Sequence, residues 1–172
     1  MRKHGGLPCL IDDDLKINES GAIETYLCLI APKFAELTPK QRAKDAQFCH
    51  LKETYIAAIA GVAFSMSAEE RAAGERKDDI KNIVDKYFAV LETILPEDGF
   101  INGLEYPTPA DLAIVNICEG YMPFVWAYKH AEIDLATSYP KLDAHHKRCM
   151  ADDAIKNAVE GSASMKVPFP GF

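Results

Sequence analysis

The stretch from residue 7 to residue 27 constrains the fold more than any other part of this sequence. It holds an apolar run at residues 7–11, three consecutive aspartates, a second short run at residues 15–18, and a segment with a polar start and an apolar body. Aspartates between apolar runs are typical of a turn, and short apolar runs bounded by turn residues are typical of strands. The stretch therefore predicts a short buried strand, a turn, a second strand and a helix that begins at Ser20.

The rest of the chain is helical in pattern. Residues 31–39 contain two prolines and no clear period, which predicts a linker. Apolar residues then recur at helical spacing over residues 40–64 and 78–95, where Pro96 ends the pattern. We predict an α+β protein that is mostly α. Its parts are a small unit at residues 1–31, a linker at residues 32–38 and an all-helical domain at residues 39–172.

Residues 106–114 carry a strong helix-start signal. Pro109 suits the first helical position, where its missing amide costs nothing. Thr108 and Asp111 have the spacing of a reciprocal cap, in which each side chain bonds to the backbone amide of the other residue. The following helix is apolar nearly all round, which predicts the central buried helix of a bundle. Thr108 and Asp111 are therefore predicted to form a structural helix cap.

A proline at the head of a strand, followed after a hairpin by Glu-Ser-x-Ala-Ile-x-x-Tyr-Leu at residues 19–27, resembles the glutathione S-transferases. The capped helix after the Gly-Phe-Ile-x-Gly loop at residues 99–103 resembles the helical domain of the same family. The resemblance implies half of a thioredoxin-like glutathione-binding domain, followed by the family's all-helical C-terminal domain, and is nearest to the sigma-like, tyrosine-type classes. It also implies a shortened chain, since a strand, a helix, another strand and a short helix precede this segment in the family.

Glutathione presents a carboxylate and an amine on its γ-glutamyl group and a peptide backbone at its cysteine. A helix N-terminus at Ser20 stabilises a carboxylate, and Glu19 is placed to accept from the amine. By resemblance, Glu19 and Ser20 bind the γ-glutamyl group, while Leu7 and Pro8 hold the cysteinyl backbone as an added strand would. The resemblance further implies that Glu53 reaches the γ-glutamyl amine across a dimer.

Asp45 competes with Glu53 for that role, and a solvated helix face is the simpler interpretation of both acids. No catalytic residue is expected, because all seven tyrosines follow the hairpin and none matches the family's activating hydroxyl by position. The resemblance implies that the parent form is a detoxifying homodimer that conjugates or reduces a small electrophile with glutathione, whereas this chain is expected to be inactive. The alternative is a non-catalytic transferase-like scaffold that binds partner proteins, so enzyme activity stays open.

Composition limits the other functions. The formal net charge of −7 offers no basic face for nucleic acid or an anionic membrane, and no apolar run in the sequence approaches the ~20 residues that span a bilayer. We therefore expect a cytoplasmic protein. The five cysteines are scattered singly, which predicts buried reduced thiols. His145, His146 and Cys149 come nearest to a metal site, but adjacent helical histidines point to different sides, so no metal is expected.

Overall fold

A computed structural model describes residues 8–119 and 123–162 of the 172-residue chain. Those residues form two strands, β1 (Cys9–Asp12) and β2 (Leu15–Asn18), and ten helices. The helices are α1 (Ser20–Ile30), α2 (Pro32–Ala35), α3 (Pro39–Ala63), α4 (Ala68–Ala72), α5 (Lys77–Ile94), α6 (Pro109–Glu119), α7 (Phe124–His130), α8 (Leu135–Ser138), α9 (Pro140–Met150) and α10 (Asp153–Gly161). This mostly helical fold with a small antiparallel sheet confirms the predicted fold class.

Contacts within the chain divide it into two compact units, Met1–Arg42 and Ala43–Phe172. The division falls in the first turn of α3, just after a well-formed helix start. The Gln41 side chain accepts from the Thr38 amide at 2.9 Å, and the Thr38 hydroxyl accepts from the Gln41 amide at 3.3 Å, which is the pattern of a capping box. The linker at residues 32–38 stays a prediction, and part of that range forms α2.

The first unit is a hairpin with a helix against one face. Cys9 pairs with Asn18 and Asp12 pairs with Leu15, so the turn has two residues, and φ at Asp13 is 50°. Aspartate tolerates that left-handed conformation. The predicted first strand is present, but the prediction that it is buried is wrong, because Ile11 is 70% exposed. Among the described residues, β1 is paired on one side only and α1 covers only one of its faces.

The second unit has a core built from apolar stripes at helical spacing. α3 contributes Phe48, Tyr55, Ile59 and Ala63, and α5 contributes Ile80, Val84, Phe88 and Leu91. α6 is buried on most sides, since seven of its eleven residues are buried. These helices lie where the sequence pattern places them, and α6 has the central buried position predicted for it.

The cysteines follow the prediction only in part. All five are free thiols, but only Cys118 and Cys149 are buried, while Cys28 and Cys49 are half-buried and Cys9 is exposed. The prediction of five buried thiols is therefore wrong for three of them. Cys9 is exposed because it lies on β1, whose side chains have little cover in the first unit. Across the described ranges, no helix combines the length and apolar character needed to cross a membrane.

Candidate functional site

The N-terminus of α1 presents Glu19 and Ser20 at the end of the hairpin. The Glu19 carbonyl accepts from the amides of Ala22 and Ile23 at 3.1 and 3.0 Å. Its side chain is exposed and makes no capping bond with any residue that the structure describes. The earliest amides of a helix have no acceptor within the helix. The start of α1 therefore offers N–H donors at the positive end of the helix dipole.

The backbone at Glu19 is strained. Its φ is 75° and its ψ is 119°, outside the regions that a residue with a side chain normally adopts. Glu19 is the single residue between the end of β2 at Asn18 and the start of α1 at Ser20. Backbone strain of this kind persists only where the surrounding structure holds it, and it concentrates at ligand sites.

The hairpin register brings Pro8 to the same end of the first unit. Because Cys9 pairs with Asn18, the start of β1 lies beside the start of α1. Pro8 is exposed there. Leu7, which was predicted to hold a peptide backbone together with Pro8, lies outside the described residues. The structure thus gathers Pro8 and the two residues at the start of α1 at one end of the hairpin.

Glu53 lies on α3, in the second unit. Its side chain is 41% exposed, and its Oε1 lies 3.2 Å from Nζ of Lys52, whose side chain is buried. Lys52 occupies the buried stripe of α3, where its ammonium group needs an anionic neighbour. The Glu53 carboxylate therefore already has a cationic partner.

Asp45, the competing acid on α3, is buried rather than solvated. Its Oδ1 accepts from the Thr108 hydroxyl at 2.8 Å, the Asn102 side-chain amide at 2.9 Å and the Ala110 backbone amide at 3.0 Å. Burial raises the pKa of the Asp45 carboxyl, and these hydrogen bonds oppose that rise. Both interpretations of Asp45, as a ligand that crosses a dimer and as part of a solvated face, are therefore wrong. It holds the start of α6.

Asp111 holds the start of α6 from within that helix. Its Oδ2 accepts from the Thr108 amide at 2.8 Å, and its Oδ1 accepts from the Ile101 amide at 2.9 Å. The Thr108 hydroxyl also lies 3.2 Å from Oδ2. One buried carboxylate therefore fixes both the helix start and the loop that precedes it.

His145 on α9 completes this network. Its Nε2 lies 2.9 Å from Oδ1 of Asp111, and Nη1 of Arg148 lies 3.3 Å from its Nδ1. Because a guanidinium group only donates, Nδ1 accepts and the ring hydrogen lies on Nε2, directed at Asp111. This role of His145 was not predicted from the sequence, because His145 and Asp111 lie 34 residues apart and no local pattern connects them.

Asp111, His145 and Cys149 are also close enough to share one metal ion, since their ligand atoms all lie within 4.8 Å of one another. The sequence pattern drew attention to His146 beside His145 and Cys149, and nothing in it pointed to Asp111. Asp111 and His145 already form a hydrogen bond with each other. Burial raises the pKa of the Cys149 thiol to about 12. The hydrogen bonds explain the cluster as a polar network that joins α6 to α9.

Several tyrosine hydroxyls already serve structural contacts. Tyr26 donates to Asp12, Tyr128 to the Cys118 carbonyl at 3.0 Å, and Tyr139 to Asp85 at 2.7 Å. The Tyr55 hydroxyl is buried without a hydrogen-bond partner in the described part of the chain. Burial raises the pKa of Tyr55, so this hydroxyl stays protonated at neutral pH.

The structure thus has a small hairpin–helix unit and an all-helical unit whose central helix begins at a buried polar cap. Over residues 55–160, which are more than half of the chain, the sequence matches the family model described as glutathione S-transferase, C-terminal domain. The chain therefore belongs to the glutathione S-transferase family. No curated protein and no solved structure matched it.

Proposed function

We propose that the protein binds glutathione through its first unit, with the N-terminus of α1 as the recognition element. The observation that carries the proposal is the strained, positive-φ backbone of Glu19 between β2 and α1. The γ-glutamyl carboxylate suits the Ser20 hydroxyl and the amides at Ser20 and Gly21, at the positive end of the helix dipole. The γ-glutamyl amine is a cation, and the exposed Glu19 carboxylate is its acceptor.

Leu7 and Pro8 complete the proposed site. The hairpin register sets Pro8 beside the start of α1, so a ligand held by Glu19 and Ser20 extends along the start of β1. The cysteinyl backbone of glutathione then pairs with the Leu7 backbone as an added strand does. Pro8 fixes the direction of the chain at that point.

Glu53 is proposed as a second acceptor for the γ-glutamyl amine, supplied by the partner subunit of a homodimer. The nearby Lys52 ammonium competes with the ligand amine for its carboxylate. We therefore assign the principal role to Glu19 and a supporting role to Glu53.

We propose that the parent form is a sigma-like, cytoplasmic transferase that detoxifies small electrophiles by conjugation or reduction with glutathione. Activation of the thiol needs a hydroxyl that donates to the sulfur and lowers the pKa of the thiol. The hydroxyls of Tyr26, Tyr128 and Tyr139 already donate to structural acceptors. The activating group of the parent form is thus proposed to lie outside these residues, and this chain is proposed to bind glutathione without turnover.

Titration calorimetry with glutathione tests the binding site. We expect Ser20→Ala and Glu19→Gln each to weaken affinity, because a hydrogen bond to a charged group contributes about 1.5–3 kcal/mol, or roughly 10- to 150-fold in the dissociation constant. Thr25→Ala is the matched control. Its hydroxyl bonds to the Gly21 carbonyl at 2.7 Å within the same helix, so its loss should leave affinity unchanged.

Turnover is measured on the same preparations with a chloronitrobenzene-type electrophile. The chain should give no rate above the uncatalysed reaction. Affinity that is unchanged in both Ser20→Ala and Glu19→Gln would place glutathione elsewhere on the molecule. A complete lack of glutathione binding by the unmutated chain of 172 residues would instead favour the non-catalytic scaffold.

A further inference from the structure

Asn102 is the one asparagine in the sequence that precedes a glycine. The other four, at positions 18, 82, 116 and 157, precede Glu, Ile, Ile and Ala. An asparagine loses its side-chain amide when the backbone nitrogen of the next residue attacks its Cγ, and a side chain on that next residue obstructs the attack. Glycine has no Cβ, so its backbone can approach closely. The Asn102–Gly103 pair is therefore the position in this chain that is most prone to deamidation.

The folded chain holds the amide group of Asn102 that would leave in this reaction. Its Nδ2 donates to Oδ1 of Asp45 at 2.9 Å and to the Thr108 hydroxyl oxygen at 3.0 Å. Asp45 and Thr108 are both buried. Deamidation removes this nitrogen from the side chain, so it breaks both hydrogen bonds. The residues that hold the start of α6 thus also restrain the group that reacts.

The attacking nitrogen of Gly103 is restrained as well. It donates to the Phe100 carbonyl at 2.9 Å, which closes a β-turn. Within this turn the Ile101 amide donates to Oδ1 of Asp111 at 2.9 Å, and the Ile101 carbonyl accepts from Nζ of Lys44 at 3.1 Å. The nitrogen loses its hydrogen in the attack, so the bond to Phe100 is lost. The reaction therefore works against contacts that join the turn to α3 and α6.

We propose that Asn102 is a deamidation site, protected in the folded chain by the contacts at the start of α6 and reactive once the chain unfolds. The Gly103 nitrogen forms a bond to Cγ of Asn102, the Cγ–Nδ2 bond breaks, and ammonia leaves with the proton of the attacking nitrogen. Water then opens the cyclic imide at either carbonyl carbon and leaves aspartate or isoaspartate at position 102. Water is the sole co-reactant, and the site is independent of glutathione.

The deamidated chain cannot rebuild the start of α6. Burial raises the pKa of the Asp45 carboxyl, whereas the hydrogen bond from Asn102 lowers it. An aspartate at position 102 replaces that donor with a second carboxylate, and two like charges at this distance repel each other. Isoaspartate also adds a methylene group to the backbone inside the turn. Deamidation in the unfolded state therefore makes the loss of the native fold irreversible.

Peptide mapping by mass spectrometry follows the reaction at neutral pH with a thiol reductant present. The folded chain in buffer is compared with the chain unfolded in guanidinium chloride at the same temperature. One hydrogen bond shifts an equilibrium by roughly fivefold. The two from Nδ2 and the one from the Gly103 nitrogen should thus slow deamidation in the folded chain by on the order of 100-fold. Asn157, which is exposed and precedes alanine, is the control and should react slowly in both states.

Folded variants show which contacts protect Asn102. Thr108→Val removes one acceptor of the Asn102 amide and should speed deamidation of the folded chain by roughly fivefold. Thr108→Ser keeps the hydroxyl and should retain the rate of the unmutated chain. Glu92→Ala is the matched control, because it removes hydrogen bonds to Lys141 and Leu142 instead of a contact of the turn. It should leave the deamidation rate unchanged.

Refolding yield tests the consequence of the reaction. Samples held unfolded for increasing times are diluted into buffer, and the yield should fall in step with the deamidated fraction. Asn102→Ser cannot form this imide and should keep its yield, although it retains the Asp98–Gly99 pair. Asn102→Asp should lower the unfolding temperature, whereas Asn157→Asp adds the same charge at an exposed position and should not.

Three results would overturn the proposal. The first is an equal rate of Asn102 deamidation in the folded and the unfolded chain. The second is an equal acceleration by Thr108→Val and Glu92→Ala, which would assign the protection to global stability and not to the contacts at the start of α6. The third is a refolding yield of Asn102→Ser that decays as fast as that of the unmutated chain.

Discussion

Asp45 shows how the second unit keeps a carboxyl group in its interior. The side chain is buried, and one of its oxygens accepts three hydrogen bonds, from Thr108, Asn102 and Ala110. Asp111 stands close enough that its charge also raises the pKa of Asp45, although burial is the larger cause. The start of α6 is therefore held by Asp45, whose surroundings disfavour the charged form of its carboxyl group.

This arrangement predicts a pH dependence of stability. Because the pKa of Asp45 is raised on folding, the folded chain binds that proton more tightly than the unfolded chain does. The contribution of Asp45 to stability is thus fully present below its ordinary pKa of about 4 and is lost as the pH rises through the folded pKa. Asp45→Asn keeps an acceptor oxygen and cannot titrate. Urea unfolding should show the Asn variant gaining stability relative to the parent from about pH 4 towards neutrality.

Asp45→Ala is the control for that experiment. It removes the acceptor as well as the charge and leaves buried donors without a partner, so it should be less stable than Asp45→Asn by about 1–3 kcal/mol at every pH. A stability difference between the Asn variant and the parent that stays flat across the pH series, or that shrinks as the pH rises, would contradict this role of Asp45.

Among the helices, α9 depends on another element for its start. Its N-cap residue, Tyr139, makes no side-chain capping bond within the described part of the chain. Glu92 of α5 instead accepts from the amides of Lys141 and Leu142 at 2.8 and 2.9 Å. One carboxylate therefore satisfies two of the free amides at the start of α9 and joins α9 to α5.

Glu92→Ala should therefore destabilise the second unit by about 1–2 kcal/mol, the range of a lost helix cap. Thermal unfolding of Glu132→Ala gives the comparison, because Glu132 pairs with Lys77 on the surface and its side chain is 76% exposed. An exposed ion pair contributes at most about 1 kcal/mol. If Glu92→Ala and Glu132→Ala unfold at the same temperature, then the capping of α9 by α5 contributes little to stability.

The elements that the sequence predicts well are those with a long stripe or a local start signal. α5 has Ile80, Val84, Phe88 and Leu91 at helical spacing, and α6 has Pro109 and its cap. The sequence pattern does not reveal α7 or α8, which have seven and four residues. Helices this short do not complete an apolar stripe, so they depend on packing against longer helices.

The residues of the candidate site and of the polar contacts also differ in whether a local sequence pattern predicts their roles. Ser20 starts α1 as the sequence predicts, because the polar start of a helix is a local signal. The strain at Glu19 and the exposure of Ile11 depend on how the hairpin is paired and covered, which no local pattern records. His145 and Glu92 act on residues 34 and about 50 positions away, so their roles appear only in the folded chain.

The two units differ in how much apolar surface they bury. Among residues 8–42, Leu37 is the one buried hydrophobic residue, whereas the main core of the second unit runs from Phe48 to Leu142. Because apolar burial is the dominant favourable contribution to folding, most of the stability of the chain belongs to the second unit.

We therefore expect residues 38–172 to fold without the first unit. This fragment keeps the Thr38 and Gln41 side chains, which bond to each other's amides at the start of α3, and it keeps the whole of the main core. Followed by circular dichroism, it should unfold in one cooperative transition at a temperature close to that of the full chain. A peptide of residues 1–42 is the counterpart and should show no cooperative transition, since a hairpin with one helix buries too little to be stable alone. Loss of the transition in the longer fragment would mean that the helical unit draws its stability from the hairpin unit, against the distribution of buried residues.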